Sequence, residues 1–90
     1  MDKLEARALL TNHLTTYRAR SYADLAATIG NLGCVQVIGP SGLQYQIEVD
    51  VLWDDKKGGN VRVMGGIDDG SFRAAVRPLT DSFIKAPDGT

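Results

Sequence analysis

Apolar and polar residues alternate most regularly between residues 43 and 54. Six apolar side chains occupy every second position of this stretch: Leu43, Tyr45, Ile47, Val49, Val51 and Trp53. The positions between them are mostly polar: Gln44, Gln46, Glu48 and Asp50. Because successive side chains of a strand point to opposite faces, this pattern predicts a strand with one buried and one solvated face. Such strands are typical of antiparallel sheets.

Helical spacing precedes this strand. Apolar residues recur at steps of four, four and three, at Ala6, Leu10, Leu14 and Tyr17. This stripe predicts a helix over residues 2–20 that lies on a sheet. Asp2 and Glu5 have the spacing of a capping pair, in which each side chain satisfies a free backbone amide. Ser21 begins a second, shorter helix over residues 21–30 with the same spacing.

Three shorter alternating segments predict further strands over residues 34–38, 60–68 and 71–77. A four-residue turn precedes the central strand, and a long polar, glycine-rich loop that we expect to be mobile follows it. Pro78 cannot donate a backbone hydrogen bond, so we expect the last strand to end there. Residues 78–90 are then a tail in which Phe83 and Ile84 return to the core.

These elements predict one domain over residues 1–90 with an α+β fold. Two N-terminal helices pack on one face of a four-stranded antiparallel β-meander, with the long helix covering the apolar face. Gly65 lies on that face. Its missing side chain either admits the helix closely or lets the sheet bend.

Composition narrows the possible functions. The 90 residues include 43% hydrophobic and 23% charged residues, as in ordinary globular domains, and the formal net charge is −1. The chain therefore lacks the excess of basic residues that is typical of nucleic-acid-binding proteins. One cysteine and one histidine exclude a structural zinc site. The charged N-terminus and the absence of a long apolar run predict no signal or membrane segment, so we expect a cytoplasmic protein. Cys34 is expected to be a small buried hydrophobe at a strand start.

No motif identifies a catalytic residue, a metal site or a cofactor. Two acidic pairs, Asp54 with Asp55 and Asp68 with Asp69, occur at opposite ends of the third predicted strand, roughly 25 Å apart. Each pair alone is typical of turns. The serines lack the context of an activated nucleophile, and the glycine pairs precede no helix that could bind phosphate. The sequence therefore favours a non-enzymatic protein.

The polar side of the sheet is the main candidate surface. The side chains predicted to lie on this side include Arg62, Met64, Arg73 and Arg77. They share it with the acidic and amide side chains of the central strand. They form either a solvated face of cross-strand pairs, worth roughly 0.2–1 kcal/mol each, or a docking face with the arginines as donors and Met64 as an apolar centre. Trp53, beside the charged loop, either lines a pocket mouth or plugs the core.

Several segments resemble an uncharacterised family of small bacterial α+β domains. They are the Gly-Pro-Ser-Gly turn with Tyr-Gln-Ile-Glu, then Trp-Asp-Asp-Lys with Gly-Gly, Ile-Asp-Asp-Gly, and Pro-Leu-Thr-Asp-Ser-Phe-Ile, all after Ser21. The resemblance implies a bacterial source. It implies no activity, cofactor or catalytic residue.

Three functional hypotheses follow. The first is a binding domain that associates with a protein partner or with itself, through the polar sheet face or an edge strand. The alternative is a small-molecule binder or enzyme with a pocket between the long helix and a curved sheet, lined by His13, Tyr17 and Trp53. The weakest is nucleic-acid binding through Arg62, Arg73 and Arg77. The sequence leaves the partner and the oligomeric state open.

Overall fold

The computed structural model describes residues 2–69 and 79–90 of the chain. Within them, two helices precede four strands: α1 (Lys3–Arg18), α2 (Tyr22–Thr28), β1 (Gly33–Ile38), β2 (Gln44–Trp53), β3 (Val61–Asp68) and β4 (Leu79–Lys85). The strands form one antiparallel sheet in the order β1-β2-β3-β4. The helices pack against this sheet, which confirms the predicted α+β class.

A side-chain oxygen caps the N-terminus of each helix. Asp2 is the N-cap of α1 and accepts a hydrogen bond from the amide of Glu5 at 3.0 Å. Ser21 caps α2 in the same way, accepting from the amide of Asp24 at 3.1 Å. These bonds satisfy amides that have no partner inside the helix. The carboxylate of Glu5 turns away from its own helix and binds the β1–β2 turn instead.

An entirely apolar core lies between α1 and the sheet. The predicted stripe of α1 is buried, and so are four alternate side chains of β2: Tyr45, Ile47, Val49 and Val51. Strand β3 contributes Val61, Val63 and Ile67, and β4 contributes Phe83. Among the described residues, no polar or charged side chain is buried. Removal of this apolar surface from water is therefore the main force holding the helices to the sheet.

Strand β4 differs from its prediction. The structure places it at Leu79–Lys85, within the segment predicted to be a tail, whereas the strand predicted over residues 71–77 lies outside the described residues. Asp81 occupies an inward position opposite Gly65. This polar residue interrupts the apolar alternation, so the sequence pattern does not predict a strand here. Phe83 is buried as predicted, but Ile84 is 41% exposed because it points to the uncovered face.

The C-terminal end of α1 is anchored on β4. The ammonium group of Lys85 donates to the carbonyl oxygens of Arg18 and Arg20, at 2.7 Å each. The guanidinium of Arg18 also stacks 4.4 Å from the centre of the Phe83 ring. A cation at a helix C-terminus complements the helix dipole and satisfies free carbonyl groups. These contacts hold α1 over the β3–β4 side of the sheet.

Gly65 allows α1 to approach β3 closely. A Cβ atom at this position would lie 3.0 Å from Leu10 Cδ1 and 3.0 Å from Leu14 Cδ2. Both leucines are buried, so neither can move into solvent. Of the two roles considered for Gly65, close approach of the helix is the one that these distances support.

We predict that Gly65→Val destabilises the fold by about 1–3 kcal/mol, because the added atoms overpack the contact with Leu10 and Leu14. The measurement is the free energy of unfolding in urea. Valine favours strands, so the matched control Ser82→Val, on the exposed face of β4, should be neutral or stabilising. Equal stability of Gly65→Val and the wild type would contradict this packing.

Candidate functional site

Strand β1 presents an unpaired edge of the sheet. It bonds to β2 on one side, and no other strand of the described residues lies on its other side. The amide of Gly39 donates to the carbonyl of Leu43 at 2.8 Å, just beyond the strand ends. Hydrogen-bonded pairs alternate in an antiparallel ladder, so Val35 and Val37 bond to β2. The backbone groups of Cys34, Gln36 and Ile38 therefore point outward from the sheet.

Strand β1 carries none of the usual protection of an edge. Natural edge strands are blunted by charges, prolines or bulges, which prevent pairing with another chain. The sequence of β1 is Gly-Cys-Val-Gln-Val-Ile, without charge or proline. Strand β4, at the opposite edge, carries Asp81 and Lys85. Of the two edges of the described sheet, β1 is therefore the one without charged side chains.

The inner face of β1 extends beyond the helices. Helix α1 packs mainly on β3 and β4, and α2 packs on β2 and β3. Val35 shares the inward direction of the core residues, yet it remains 37% exposed, and Val37 is half-buried. On the opposite face, Ile38 is 73% exposed. We use the term β1 edge for residues 33–38 with their outward backbone groups and these apolar side chains.

Glu5 fixes the turn that ends β1. One carboxylate oxygen accepts from the amide of Ser41 at 2.8 Å. The other accepts from Ser41 Oγ at 2.6 Å and from the Tyr45 hydroxyl at 2.9 Å. A Cβ atom at Gly39 would collide with this carboxylate, so a larger residue there would displace Glu5 from the turn. The first turn of α1 thereby sets the position of the β1–β2 hairpin.

The same bonds shift two pKa values. Hydrogen bonds from the side chain and the amide of Ser41, with a smaller contribution from Tyr45, lower the pKa of Glu5. Burial and the hydrogen bond to Glu5 raise the pKa of Tyr45. Both shifts favour an ionised Glu5 that accepts a hydrogen bond from a neutral Tyr45.

A groove of about 480 Å³ lies beside this network. Its lining comes from one side of α1 and from the turn: Asp2, Glu5, Ala8, Leu9, Asn12, Pro40 and Ser41. It is a different place from the pocket predicted under the long helix. The groove borders the turn that follows β1, but no residue of the β1 edge lines it.

Of the residues predicted to line a pocket under the helix, His13 and Tyr17 lie on α1 and Trp53 ends β2. The rings of His13 and Tyr17 are in edge contact, with centroids 5.6 Å apart. Burial, with a smaller contribution from Arg20, lowers the pKa of His13. Trp53 is half-buried opposite Val61 at the far end of β2 and packs against the core.

The predicted docking residues on the polar face have mixed surroundings. Arg62 forms an ion pair with Asp54 at 2.7 Å, and its Nε atom donates to the same oxygen at 2.9 Å. Met64 is 45% exposed, between Asp50 and Ser82 on the neighbouring strands. Arg73 and Arg77 lie outside the described residues. The guanidinium of Arg62 is therefore already engaged within the protein.

Cys34 is exposed, and the prediction that it is buried is wrong. It lies on the outer face of β1, where Gln46 Nε2 lies 3.3 Å from its sulfur. The neighbouring Gln44 donates to Gln36 Oε1 at 2.9 Å. The amide side chains of Gln44 and Gln46 thus lie beside β1 on the outer face of the sheet.

The loop after β2 is tied to α2. The amide of Asp54 donates to Asn60 O at 2.8 Å, and the Tyr22 hydroxyl donates to Gly59 O at 2.7 Å.

Within residues 2–69 and 79–90, no three His, Cys, Asp or Glu side chains form a group that could hold a metal ion. No described helix is both long and apolar enough to cross a bilayer.

Comparisons with protein-family models, curated proteins and solved structures give no match. The candidate site is therefore argued from its geometry alone.

The sequence predicts binding at an edge strand but does not say which strand forms the edge. A usable signal was present, because no charged residue occurs between Asp24 and Glu48, a stretch that contains all of β1.

We predict that the stability contributed by Glu5 depends on pH. Its pKa in the folded state is lower than the ordinary value of 4.5, so ionised Glu5 stabilises the fold above that pH. The contribution is lost as the pH falls through the lowered pKa. The difference in melting temperature between wild type and Glu5→Gln should be largest near neutral pH and should shrink below about pH 4.

Thermal unfolding over a pH series measures this difference. Ser41→Ala, which removes one donor to Glu5, should reproduce part of the effect of Glu5→Gln. A difference that stays constant between about pH 3 and pH 7 would show that the network does not depend on the charge of Glu5.

Proposed function

We propose that this chain is a non-enzymatic protein-interaction domain that binds an extended strand at the β1 edge. The observation that carries the proposal is an uncharged edge strand whose outward N–H and C=O groups have no partner strand in the described sheet. An added strand would satisfy these groups and extend the ladder. We place this binding in the cytoplasm, where the exposed thiol of Cys34 stays reduced.

Side chains of β1 supply selectivity for the added strand. Its backbone gives affinity through the groups of Cys34, Gln36 and Ile38, whereas alternate side chains of the partner meet opposite faces of the sheet. On the inner face, the exposed part of Val35 favours a β-branched or aromatic neighbour. On the outer face, Gln36 favours a polar neighbour. The expected partner is therefore an extended segment with alternating apolar and polar residues.

A small-molecule role is the alternative, and one observation favours it. The groove beside α1 has a volume within the range of about 300–1,000 Å³ that is typical of ligand sites. Its acidic lining, Asp2 and Glu5, would suit a ligand with a cationic group. However, the oxygens of Glu5 already accept three hydrogen bonds from Ser41 and Tyr45. A ligand would have to compete with these bonds for the carboxylate.

Strand addition can be tested with Gln36→Pro. The outward amide of Gln36 makes no bond to β2, and proline is tolerated at edges where the amide faces solvent. The variant should fold, but it lacks a central donor for an added strand. The probe is a synthetic peptide of residues 32–39 with serine for Cys34 and lysines added for solubility. Binding to the wild type should slow hydrogen exchange at the amides of residues 34, 36 and 38.

The matched control is Ser82→Pro on β4, which alters the opposite edge of the described sheet. We expect peptide binding to be retained there, provided that circular dichroism shows a folded protein, and to be lost in Gln36→Pro. If the amides of residues 34, 36 and 38 exchange freely in the wild type and the peptide leaves that exchange unchanged, the β1 edge does not accept strands and the proposal is wrong.

A further inference from the structure

We propose that the strand which occupies the β1 edge is β1 of a second copy of this chain, paired antiparallel with Gln36 opposite Gln36. This inference rests on the proposed function, because it names the partner for the same edge. It predicts a symmetric dimer in which two four-stranded sheets become one continuous sheet.

The backbone of β1 is complementary to itself. Its outward groups belong to residues 34, 36 and 38, which are evenly spaced about Gln36. A twofold axis through Gln36 places Cys34 opposite Ile38 of the second copy, and Ile38 opposite Cys34 of the second copy. Residues with outward groups then meet only residues with outward groups, as an antiparallel ladder requires. A symmetric interface uses the same patch on both subunits, and this strand meets that condition.

Side chains fit the same register on the inner face. Val35 lies opposite Val37 of the second copy, and the reverse pair forms on the other side of the axis. Val35 is 37% exposed because both helices make most of their contacts with the other strands, so this pairing would remove its remaining surface from water. Pairs of β-branched side chains stabilise antiparallel strands. The apolar core of each copy would continue into the other.

Electrostatics favours a second copy over a charged peptide. Strand β1 carries no charge, so it meets no like charge when it pairs with itself, and the whole chain has a formal net charge of only −1. On the outer face, Gln36 meets Gln36 of the second copy. Its carbonyl oxygen already accepts from Gln44, and its amide group remains a donor for the opposite glutamine.

Cysteine cross-linking tests the partner and the register together. Opposite residues of a hydrogen-bonded pair have Cα atoms about 5.5 Å apart, within the range of about 4.4–6.8 Å that a disulfide requires. In the proposed register, the two copies of Cys34 are offset by about 13 Å along the strand. Under mild oxidation, Cys34→Ser/Gln36→Cys should therefore form a covalent dimer, whereas the wild type should not.

The control is Cys34→Ser/Ser82→Cys, which places a thiol on the opposite edge of the described sheet and should cross-link at least about tenfold more slowly. Sedimentation equilibrium without oxidant should show a dimer for the wild type and a monomer for Gln36→Pro. Cross-linking of the wild type through Cys34 as fast as through Gln36→Cys would overturn the register. A wild type that stays monomeric up to millimolar concentration would overturn the dimer.

These outcomes separate the two proposals. A monomeric wild type whose β1 amides are still protected by the added peptide would retain strand addition and reject the second copy as partner. A monomeric wild type that also ignores the peptide would reject both.

Discussion

The seating of α1 on the sheet is the contact on which the rest of the structure depends. The apolar stripe of the helix packs mainly on β3 and β4, and Gly65 lets α1 and β3 approach closely. At the helix C-terminus, Lys85 binds its carbonyl groups and Arg18 stacks on Phe83. These contacts draw the helix toward the β3–β4 side. The same placement leaves the inner face of β1 partly uncovered, so the packing that stabilises the domain also exposes its candidate site.

The two edges of the described sheet differ in chemistry, and this difference gives the functional argument its direction. An exposed strand edge invites pairing with other chains, and proteins usually suppress it with charge. Strand β4 has charged residues, one of which is engaged with α1. Strand β1 has none. An edge left uncharged would favour indiscriminate association unless a defined partner covers it, which is the physical reason to regard the β1 edge as a binding surface.

Glu5 connects the helix to that surface. Its three hydrogen bonds to Ser41 and Tyr45 join the first turn of α1 to the hairpin that ends β1. A strand that accepts another strand needs a fixed backbone, because disorder at the edge would have to be removed on binding. The predicted capping role of Glu5 within its own helix gives way to this longer-range role, since the turn offers both a free amide and a hydroxyl group.

Local pattern was enough to predict the fold class, and the reason is the strict periodicity of the segments. The stripe of α1, the alternation of β2 and the capping residues Asp2 and Ser21 each specify their element through neighbours a few positions away. Strand β4 escaped prediction because Asp81 interrupts its alternation, and pairing with β3 compensates for that interruption only in the folded chain.

The sequence by itself determined which faces are apolar and that a charge-free stretch contains β1. Tertiary structure decided the rest of the candidate site: that β1 is an edge, that the helices leave Val35 exposed, and that Cys34 points to solvent. It also paired Arg62 with Asp54. Periodicity describes each segment against its own neighbours, whereas strand order and helix placement arise from contacts between segments distant in the chain.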